Sequence, residues 1–381
     1  MEIERITVRA GGIEQSVLVG GPPDGTPVLF VHGNCSSAQF WIPLLRRLPG
    51  TLRVAAPDLR GYGRTETAPV DATRGLADLA ADVAALLDEP AVFGPTAPAA
   101  ARPVVVGHSL GGGVAMRLLL AHPDRVAALL LAAPVSPYGY GGTRDLAGTP
   151  TAADFAGTGG GTASADFVAR LATGDRGDDP TSPRGVLRAT YVADPASLVP
   201  DEELLLDSVL STAVGDDNYP GTSVPSPNWP GMAPGDRGVL NALSPAYFRI
   251  ADDLVAVAGA AGRGAAAGGD GRGAAPGTTG RGAPPIVWVR GDADVIVSDT
   301  ALMDLAHLGS LGVVPGWPGA ATHPAQPMVG QTRAVLERYA AAGGSYREVV
   351  YAGCGHSPNI ERPADLAAEL LDLLTAVTQP G

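Results

Sequence analysis

Along the first third of the chain, short runs of apolar residues alternate with longer stretches in which apolar positions recur at helical spacing. Runs of the first kind are typical of buried strands, and stretches of the second kind are typical of amphipathic helices. The pattern predicts strands over residues 2–9, 13–19, 28–31, 53–56, 104–106 and 127–131. It predicts helices over 38–48, 76–87 and 110–121, with a Pro/Ala linker at 94–103. Strands separated by helices indicate an α/β fold with a mostly parallel, doubly wound sheet.

Residues 137–284 interrupt this alternation. Only short helices are predicted there, over 165–171 and 201–210, and residues 215–234 are dense in turn-forming residues. Residues 257–285 consist almost entirely of Gly, Ala, Arg and Pro, so this stretch is predicted to be a surface loop or tether with too little apolar bulk to fold alone. The segment is therefore predicted to be an insertion into the α/β core.

The alternation then resumes. A buried strand is predicted over 286–289, followed by a helix, a strand over 347–351 and a final helix over 364–376. The predicted organisation is one core in two parts with an inserted cap, which we place at residues 1–136, 137–284 and 285–381. We expect the cap to govern substrate choice rather than chemistry, because binding pockets are often built by insertions above a rigid sheet.

Composition and charge narrow the classes of function. The formal net charge of −13 opposes binding to nucleic acid or to anionic membranes. The first residues lack the apolar stretch of a signal peptide, and the longest apolar run, 126–135, is too short to span a bilayer. Two cysteines do not make a disulfide framework. We therefore expect a soluble, cytoplasmic protein that acts on a small molecule.

A serine between glycines follows the predicted strand 104–106. The residues Gly107-His108-Ser109-Leu110-Gly111 fit the pattern Gly-x-Ser-x-Gly at a strand-to-helix turn. Such a turn projects the serine above the edge of the sheet, and the N-terminus of the following helix can stabilise negative charge beside it. The alternative is a serine in an ordinary glycine-rich turn. The motif favours Ser109 as a nucleophile.

A nucleophilic serine needs a base, and the base needs a carboxylate to orient it. His356 lies in a glycine-rich loop after a predicted strand and is the candidate base. Asp292 and Asp294 both follow strand 286–289, and in an extended segment both would point to the same side, so the spacing leaves the choice open. His32, next to Gly33 at a strand end, is interpreted as a structural hydrogen-bonding residue.

These motifs together resemble those of the α/β-hydrolase family. The resemblance rests on His32-Gly33-Asn34, on Pro57-Asp58-Leu59-Arg60-Gly61-Tyr62-Gly63, on the serine turn, on Gly291-x-x-Asp294 and on Gly355-His356-Ser357-Pro358. It implies a catalytic triad of Ser109, Asp294 and His356, and an oxyanion hole formed by the N–H groups of Asn34 and Leu110. It argues against haloalkane dehalogenases and epoxide hydrolases, which have an aspartate where Ser109 stands.

The resemblance implies a cofactor-free hydrolase of a carboxylic ester or lactone. The chain also resembles actinobacterial lactone hydrolases faintly, which makes a macrolactone such as zearalenone a candidate substrate. Aromatic residues of the cap suit a hydrophobic, aromatic substrate, although they could instead form the core of the cap itself. The residues predicted to bind the substrate are Cys35, Tyr191, Trp229 and Trp317.

Other interpretations remain open. A cofactor-free acyltransferase or perhydrolase would use the same triad, and a non-catalytic ligand-binding protein could keep the fold. Cys35 and Cys354 could in principle act as nucleophiles or, with His32 and His356, bind a metal, but they lack the short paired spacing of zinc ligands. We expect both cysteines to be small buried thiols and expect no metal.

Overall fold

The structure is a computed structural model that describes residues 1–94, 102–267 and 282–378. Its strands in chain order are β1 Ile3–Ala10, β2 Ile13–Gly20, β3 Thr26–Val31, β4 Leu52–Pro57, β5 Val104–His108, β6 Ala128–Ala132, β7 Val214–Gly215, β8 Tyr219–Pro220, β9 Ser223–Pro225, β10 Met232–Pro234, β11 Ile286–Gly291 and β12 Tyr346–Tyr351. Eight of them form one sheet in the order β1-β2-β4-β3-β5-β6-β11-β12. Pairing is antiparallel at β1–β2 and β2–β4 and parallel elsewhere in this sheet. The predicted mostly parallel sheet is therefore confirmed.

The helices connect and cover these strands. In chain order the α-helices are α1 Ile42–Leu45, α2 Ala77–Leu86, α3 Pro90–Phe93, α4 Leu110–Ala121, α5 Ala165–Ala172, α6 Pro183–Val186, α7 Glu202–Leu210, α8 Val239–Ala242, α9 Ala251–Ala267, α10 Leu305–Ser310, α11 Met328–Ala341, α12 Pro358–Glu361 and α13 Pro363–Thr378. Short 3₁₀ helices span Ala38–Trp41, Ala72–Arg74, Gly160–Thr162 and Pro195–Leu198, and a π-helical turn spans Leu187–Tyr191. No α-helix within the described ranges combines the length and hydropathy that a membrane-spanning segment requires.

Alternate residues of the central strands enter two cores on opposite faces of the sheet. In β6, Leu129 and Leu131 pack with helices α2, α4 and α9, whereas Leu130 packs on the other side with α1 and α13. This is the two-residue period of a strand whose two faces are both buried, and it explains why the strands read as continuous apolar runs. Burial on both faces fixes the register, so the carboxyl ends of the strands make a rigid platform.

The predicted insertion leaves the sheet and returns to it at neighbouring strands. Ile286 of β11 pairs with Leu129 of β6, so residues 137–284 separate two adjacent strands. Within the described part of this segment, the short strands β7–β10 form two separate two-stranded sheets rather than joining the main one. The division into core and cap stays a prediction that fits this connectivity.

Two local predictions were wrong. The helix predicted over 38–48 is a 3₁₀ turn followed by the single turn α1, with Pro43 at the start of α1. The tether predicted over 257–285 is helical up to Ala267, because alanine is the best helix former and α9 buries Leu254 and Ala258 against the core. Residues 268–281 of that tether and residues 95–101 of the 94–103 linker lie outside the described residues.

Candidate active site

Ser109 occupies a strained turn between β5 and α4. Its backbone has φ 54° and ψ −120°, a conformation rarely adopted by residues other than glycine, and its side chain is half-buried. A Cβ atom on Gly107 would lie 2.5 Å from the Gly111 carbonyl oxygen, and one on Gly111 would lie 2.2 Å from the Val31 carbonyl oxygen. Both flanking positions therefore require glycine, as the strand-to-helix interpretation predicts.

Asp294 and His356 meet at the carboxyl end of β11. Asp294 Oδ2 lies 2.9 Å from His356 Nδ1, and the two side chains are almost fully buried. Asp294 Oδ1 accepts hydrogen bonds from the N–H groups of Ile296 and Val297 at 2.7 and 3.0 Å. The carboxylate is therefore held by its own loop while its second oxygen orients the imidazole.

Asp292 is not part of this pair. Its exposed carboxylate accepts a hydrogen bond from the Gly353 N–H at 2.7 Å and so links the loop after β11 to the loop after β12. The geometry therefore favours Asp294 as the acid, which the spacing along the sequence had left open.

His108 connects the serine turn to the histidine loop. Its Nε2 lies 2.9 Å from the backbone oxygen of His356, and the two rings are 4.8 Å apart. Ser109, the next residue, thus lies close to His356, yet within the described residues no direct hydrogen bond joins Ser109 Oγ to His356 Nε2. Catalytic hydrogen bonds are often long or poorly aligned before substrate binds, so the lack of this bond is compatible with a serine–histidine pair that forms on binding.

The predicted oxyanion donors are the N–H groups of Asn34 and Leu110. Within the described residues neither group donates a hydrogen bond to the protein. Leu110 is the first residue of α4, where the helix dipole adds positive potential. Asn34 follows β3, whose end packs against Ser109: a Cβ atom on Gly33 would lie 3.0 Å from that of Ser109. The structure thus gathers both predicted oxyanion donors near the serine turn.

His32 and His108 are buried and electrically neutral. Burial lowers the pKa of His32 from 6.5 to about 4, against the opposing effect of Asp58. Burial, with repulsion from His356, lowers the pKa of His108 to about 3. His32 Nε2 accepts a hydrogen bond from the Leu59 N–H at 2.9 Å, so its proton lies on Nδ1 and is donated to the Gly33 carbonyl. The structural interpretation of His32 is confirmed.

The two cysteines are buried thiols, as expected. Cys35 is 3% exposed and burial raises its pKa to about 12, while burial and the neighbouring Glu361 also raise the pKa of Cys354. Thiols with raised pKa values are poor nucleophiles because the thiolate is the reactive form. Within the described ranges, no group of His, Cys, Asp or Glu side chains is arranged to hold a metal ion.

A cavity of about 260 Å³ opens beside Asn34. Its lining residues are all uncharged: Asn34, Cys35, Thr162, Ser164, Phe167, Val186, Thr190, Tyr191, Tyr219, Leu302, Met303, Leu305 and Leu308. Several of its polar side chains bond to nearby protein groups: Thr162 and Thr190 donate to backbone carbonyls, and Ser164 caps α5. The cavity therefore presents a mainly apolar surface.

Only two of the four predicted substrate-binding residues line this cavity. Cys35 and Tyr191 do, whereas Trp229 and Trp317 do not. Trp229 donates to the Pro315 carbonyl and packs against His323 at 5.6 Å, and Trp317 donates to the His323 carbonyl. Trp229 thus joins the 137–284 segment to the 313–323 loop, whereas the Trp317 bond lies within that loop. Their assignment as substrate-binding residues stays a prediction.

Several lining residues were not predicted from the sequence. Leu302, Met303, Leu305 and Leu308 come from the stretch after Asp294, and Thr162, Ser164 and Phe167 come from the start of α5 and the residues just before it. Those that lie in helices, Phe167 of α5 and Leu305 and Leu308 of α10, have the spacing of any packed helix. Nothing in the local sequence pattern distinguishes residues that face a cavity from residues that face a core.

Comparison with known proteins agrees with this geometry. The sequence model of the alpha/beta hydrolase family matches residues 28–369. The chain is 42% identical over 117 residues to the lipase LipV of Mycobacterium tuberculosis, which covers 30% of this chain and 39% of the lipase. It is 40% identical over 119 residues to a non-heme chloroperoxidase of Streptomyces lividans, covering 31% of this chain and 40% of that enzyme. These matches span about 40% of the length of the curated relatives.

Among solved structures, the esterase RhEst1 of Rhodococcus sp. ECU1013 superimposes with a TM-score of 0.54 at 18% identity. That alignment covers 99% of this chain and all of the esterase. At this identity the likeness establishes the fold alone. The family model, in contrast, covers most of the sequence, including the serine turn, the acid loop and the histidine loop. The chain therefore belongs to the alpha/beta hydrolase family.

Proposed function

We propose that this protein is a serine hydrolase that cleaves a neutral, hydrophobic carboxylic ester or lactone through an acyl-enzyme. The observation that carries the proposal is the buried Asp294–His356 pair at 2.9 Å beside the strained Ser109 turn. A buried carboxylate that orients an imidazole next to a half-buried serine hydroxyl is the arrangement that activates serine.

In the proposed first step, His356 Nε2 takes the proton of the Ser109 hydroxyl while Ser109 Oγ attacks the carbonyl carbon of the substrate. Asp294 keeps the His356 proton on Nδ1 and stabilises the imidazolium that forms. The imidazolium then gives its proton to the departing alcohol oxygen, which leaves an ester between the acyl group and Ser109. Water, deprotonated by His356, attacks that ester and releases the acid.

The Asn34 and Leu110 N–H groups would hold the oxyanion of both tetrahedral intermediates. Their freedom from hydrogen bonds to the described protein supports this role. Removal of one such donor typically lowers kcat by about 10²–10³-fold.

The cavity beside Asn34 supports a neutral apolar substrate. Its uncharged lining would leave an ammonium or carboxylate group without a partner, and burial of an unpaired charge is costly. We propose that this cavity receives one side of the ester or lactone and that residues 137–284 act as the cap that closes it. A macrolactone remains the most specific candidate.

A perhydrolase or acyltransferase is the second candidate function. The similarity to a non-heme chloroperoxidase of Streptomyces lividans favours it. A perhydrolase or acyltransferase would form the same acyl-enzyme and pass the acyl group to hydrogen peroxide or an alcohol instead of water. The acceptors can be compared directly, by measuring how an acyl-enzyme partitions among water, hydrogen peroxide and an added alcohol. Predominant transfer to water supports the hydrolase.

The experiment is a substrate panel of p-nitrophenyl esters, aryl esters and lactones with the wild type and Ser109→Ala. We expect hydrolysis of uncharged esters by the wild type and its loss in the variant. Failure of the wild type to hydrolyse any of them, or full activity of the variant, would contradict the proposed function.

A further inference from the structure

We propose that Tyr191 is a positioning residue for the oxyanion hole, so that the 137–284 segment contributes to chemistry as well as to substrate choice. This inference rests on the proposed function. Residues 33–36, named here the oxyanion loop, carry the Asn34 N–H. Tyr191 ends the π-helical turn Leu187–Tyr191 and reaches this loop from the inserted segment.

The hydroxyl of Tyr191 is directed at two successive carbonyls of the oxyanion loop. It lies 3.1 Å from the Asn34 oxygen and 3.3 Å from the Cys35 oxygen, so its proton is shared between them. The ring packs against Phe40 at 5.7 Å and against His356 at 6.3 Å. Tyr191 is only 7% exposed, and burial raises the pKa of its hydroxyl well above 10, so the group remains a donor.

The peptide between Gly33 and Asn34 is held by other side chains. The Gly33 carbonyl accepts hydrogen bonds from His32 Nδ1 at 2.8 Å and from Ser36 Oγ at 2.9 Å. This carbonyl and the Asn34 N–H belong to one planar peptide, so fixing the oxygen also sets the direction of the N–H. His32 and Ser36 therefore hold the first peptide of the loop, and Tyr191 holds the next two.

The loop needs such support because its backbone is strained. Cys35 has φ 43°, in the left-handed region that non-glycine residues seldom adopt. Strained residues persist only where their surroundings hold them. Without the Tyr191 hydroxyl, the carbonyls of Asn34 and Cys35 would lose a donor at the edge of an apolar cavity. Rotation of these two peptides would shift the Asn34 Cα, which joins them to the first peptide, and would thereby tilt the Asn34 N–H.

Tyr191 is itself anchored to the histidine loop. The N–H groups of Ala193 and Asp194 donate to Glu361 Oε1 at 2.9 and 3.1 Å. The other oxygen of Glu361 accepts from the Gly355 N–H at 2.6 Å, directly before His356. One carboxylate thus joins the backbone that follows Tyr191 to the loop that carries the base. Residues 191–194 of the inserted segment are therefore bonded both to the oxyanion loop and, through Glu361, to the loop that carries His356.

The test compares Tyr191→Phe with the wild type, because phenylalanine removes the hydroxyl and keeps the ring. Tyr247→Phe is the matched control, because it also removes a tyrosine hydroxyl from the inserted segment. Tyr247 does not line the cavity beside Asn34 and makes no hydrogen bond to the oxyanion loop. Three quantities are measured: kcat and KM for an uncharged ester, the rate of inactivation by a fluorophosphonate, and amide hydrogen exchange over residues 33–36. Melting temperature reports the global fold.

For Tyr191→Phe we expect kcat and the inactivation rate to fall about 10–100-fold, since a displaced donor loses part of an effect worth about 10²–10³-fold. We expect KM to change less than about two-fold and hydrogen exchange at 33–36 to accelerate, while Tyr247→Phe resembles the wild type. Glu361→Gln weakens the hydrogen bonds that join the backbone after Tyr191 to the histidine loop, so it should also lower kcat.

The two proposals fail in different ways. A wild type that neither hydrolyses esters nor reacts with the fluorophosphonate contradicts the proposed function, and hydrogen exchange still tests the role of Tyr191. A reactive wild type together with unchanged kcat, inactivation rate and exchange in Tyr191→Phe overturns the positioning role. A rise in KM at constant kcat overturns it as well, because it would make Tyr191 a substrate contact only.

Discussion

Two carboxylates, only two residues apart in the sequence, follow β11, and the geometry of the loop determines which one orients the base. Asp294 faces His356 at 2.9 Å, while Asp292 turns outward to the Gly353 N–H. Asp294→Asn is therefore expected to lower kcat by roughly 10⁴-fold through loss of the correct imidazole tautomer. Asp292→Asn keeps an oxygen that can accept from the Gly353 N–H, so it is expected to cost no more than about 1 kcal/mol of stability, the usual value for one hydrogen bond, and to leave kcat largely intact.

Measurement of kcat and of urea unfolding for both variants separates the two roles. A folded but inactive Asp292→Asn beside an active Asp294→Asn would reverse the assignment, and two active variants would place the acid on another strand.

Two buried neutral histidines make the stability depend on pH. Their pKa values in the folded protein, about 4 for His32 and about 3 for His108, lie below the ordinary 6.5, so the unfolded chain binds protons first as pH falls. The stability that they contribute is complete above pH 6.5 and is lost as the pH falls towards those folded values. Between pH 6.5 and 5 each should account for roughly 2 kcal/mol of lost stability.

His108→Gln isolates one of these contributions, because glutamine can still donate to the His356 carbonyl but does not titrate. Urea unfolding of the wild type and the variant at pH 7 and pH 5 is the measurement. A smaller loss of stability in the variant is expected. Identical pH dependence would mean that His108 is not buried as a neutral ring.

At the residue scale, the sequence predicts the identities in the candidate site better than their contacts. Ser109 and His356 both lie in glycine-rich turns, and such motifs can be recognised in the sequence. Around Ser109 the glycines are required because the backbones approach too closely for a side chain. The hydroxyl of Tyr191 meets the oxyanion loop across 156 residues of chain. Such a contact depends on the path of the inserted segment, which no local pattern specifies.

At the scale of elements, the strands of the sheet could be predicted because burial on both faces leaves continuous apolar runs. Helix α9 could not, because its alanines and glycines supply little apolar contrast between faces. Yet Ala258 is completely buried, and α9 packs against α4 and α11. Small residues here reflect close packing of helices rather than a tether.

The packing of α9 can be tested by adding volume to it. Ala258→Leu is expected to destabilise the protein by about 1–3 kcal/mol, because a fully buried position has no room for three further carbon atoms. Ala256→Leu places the same side chain at an exposed position two residues away and should have little effect. Chemical unfolding of both variants gives the comparison. Equal, small effects would restore the tether interpretation.

At the scale of the whole molecule, the 137–284 segment and the rest of the chain both line the cavity beside Asn34. Phe167 of α5 lines the cavity beside Asn34, whereas Trp229 of the same segment contacts the 313–323 loop instead. Phe167→Ala should therefore change kcat/KM for a bulky ester about 10-fold or more relative to an acetate ester. Trp229→Ala should leave that ratio unchanged.

Relative kcat/KM for the two esters is the readout, with melting temperature to check folding. If Trp229→Ala changes the ratio and Phe167→Ala does not, the substrate lies in another part of the molecule.

The central claim is that Ser109 is the nucleophile of a serine hydrolase, and its most direct test is labelling with a fluorophosphonate followed by mass spectrometry of the peptides. We predict one covalent adduct, on Ser109, formed at the rate at which esterase activity disappears. We predict no adduct in Ser109→Ala and an undiminished one in Cys354→Ser. An adduct on another residue, or an unlabelled wild type that still hydrolyses esters, would contradict the account.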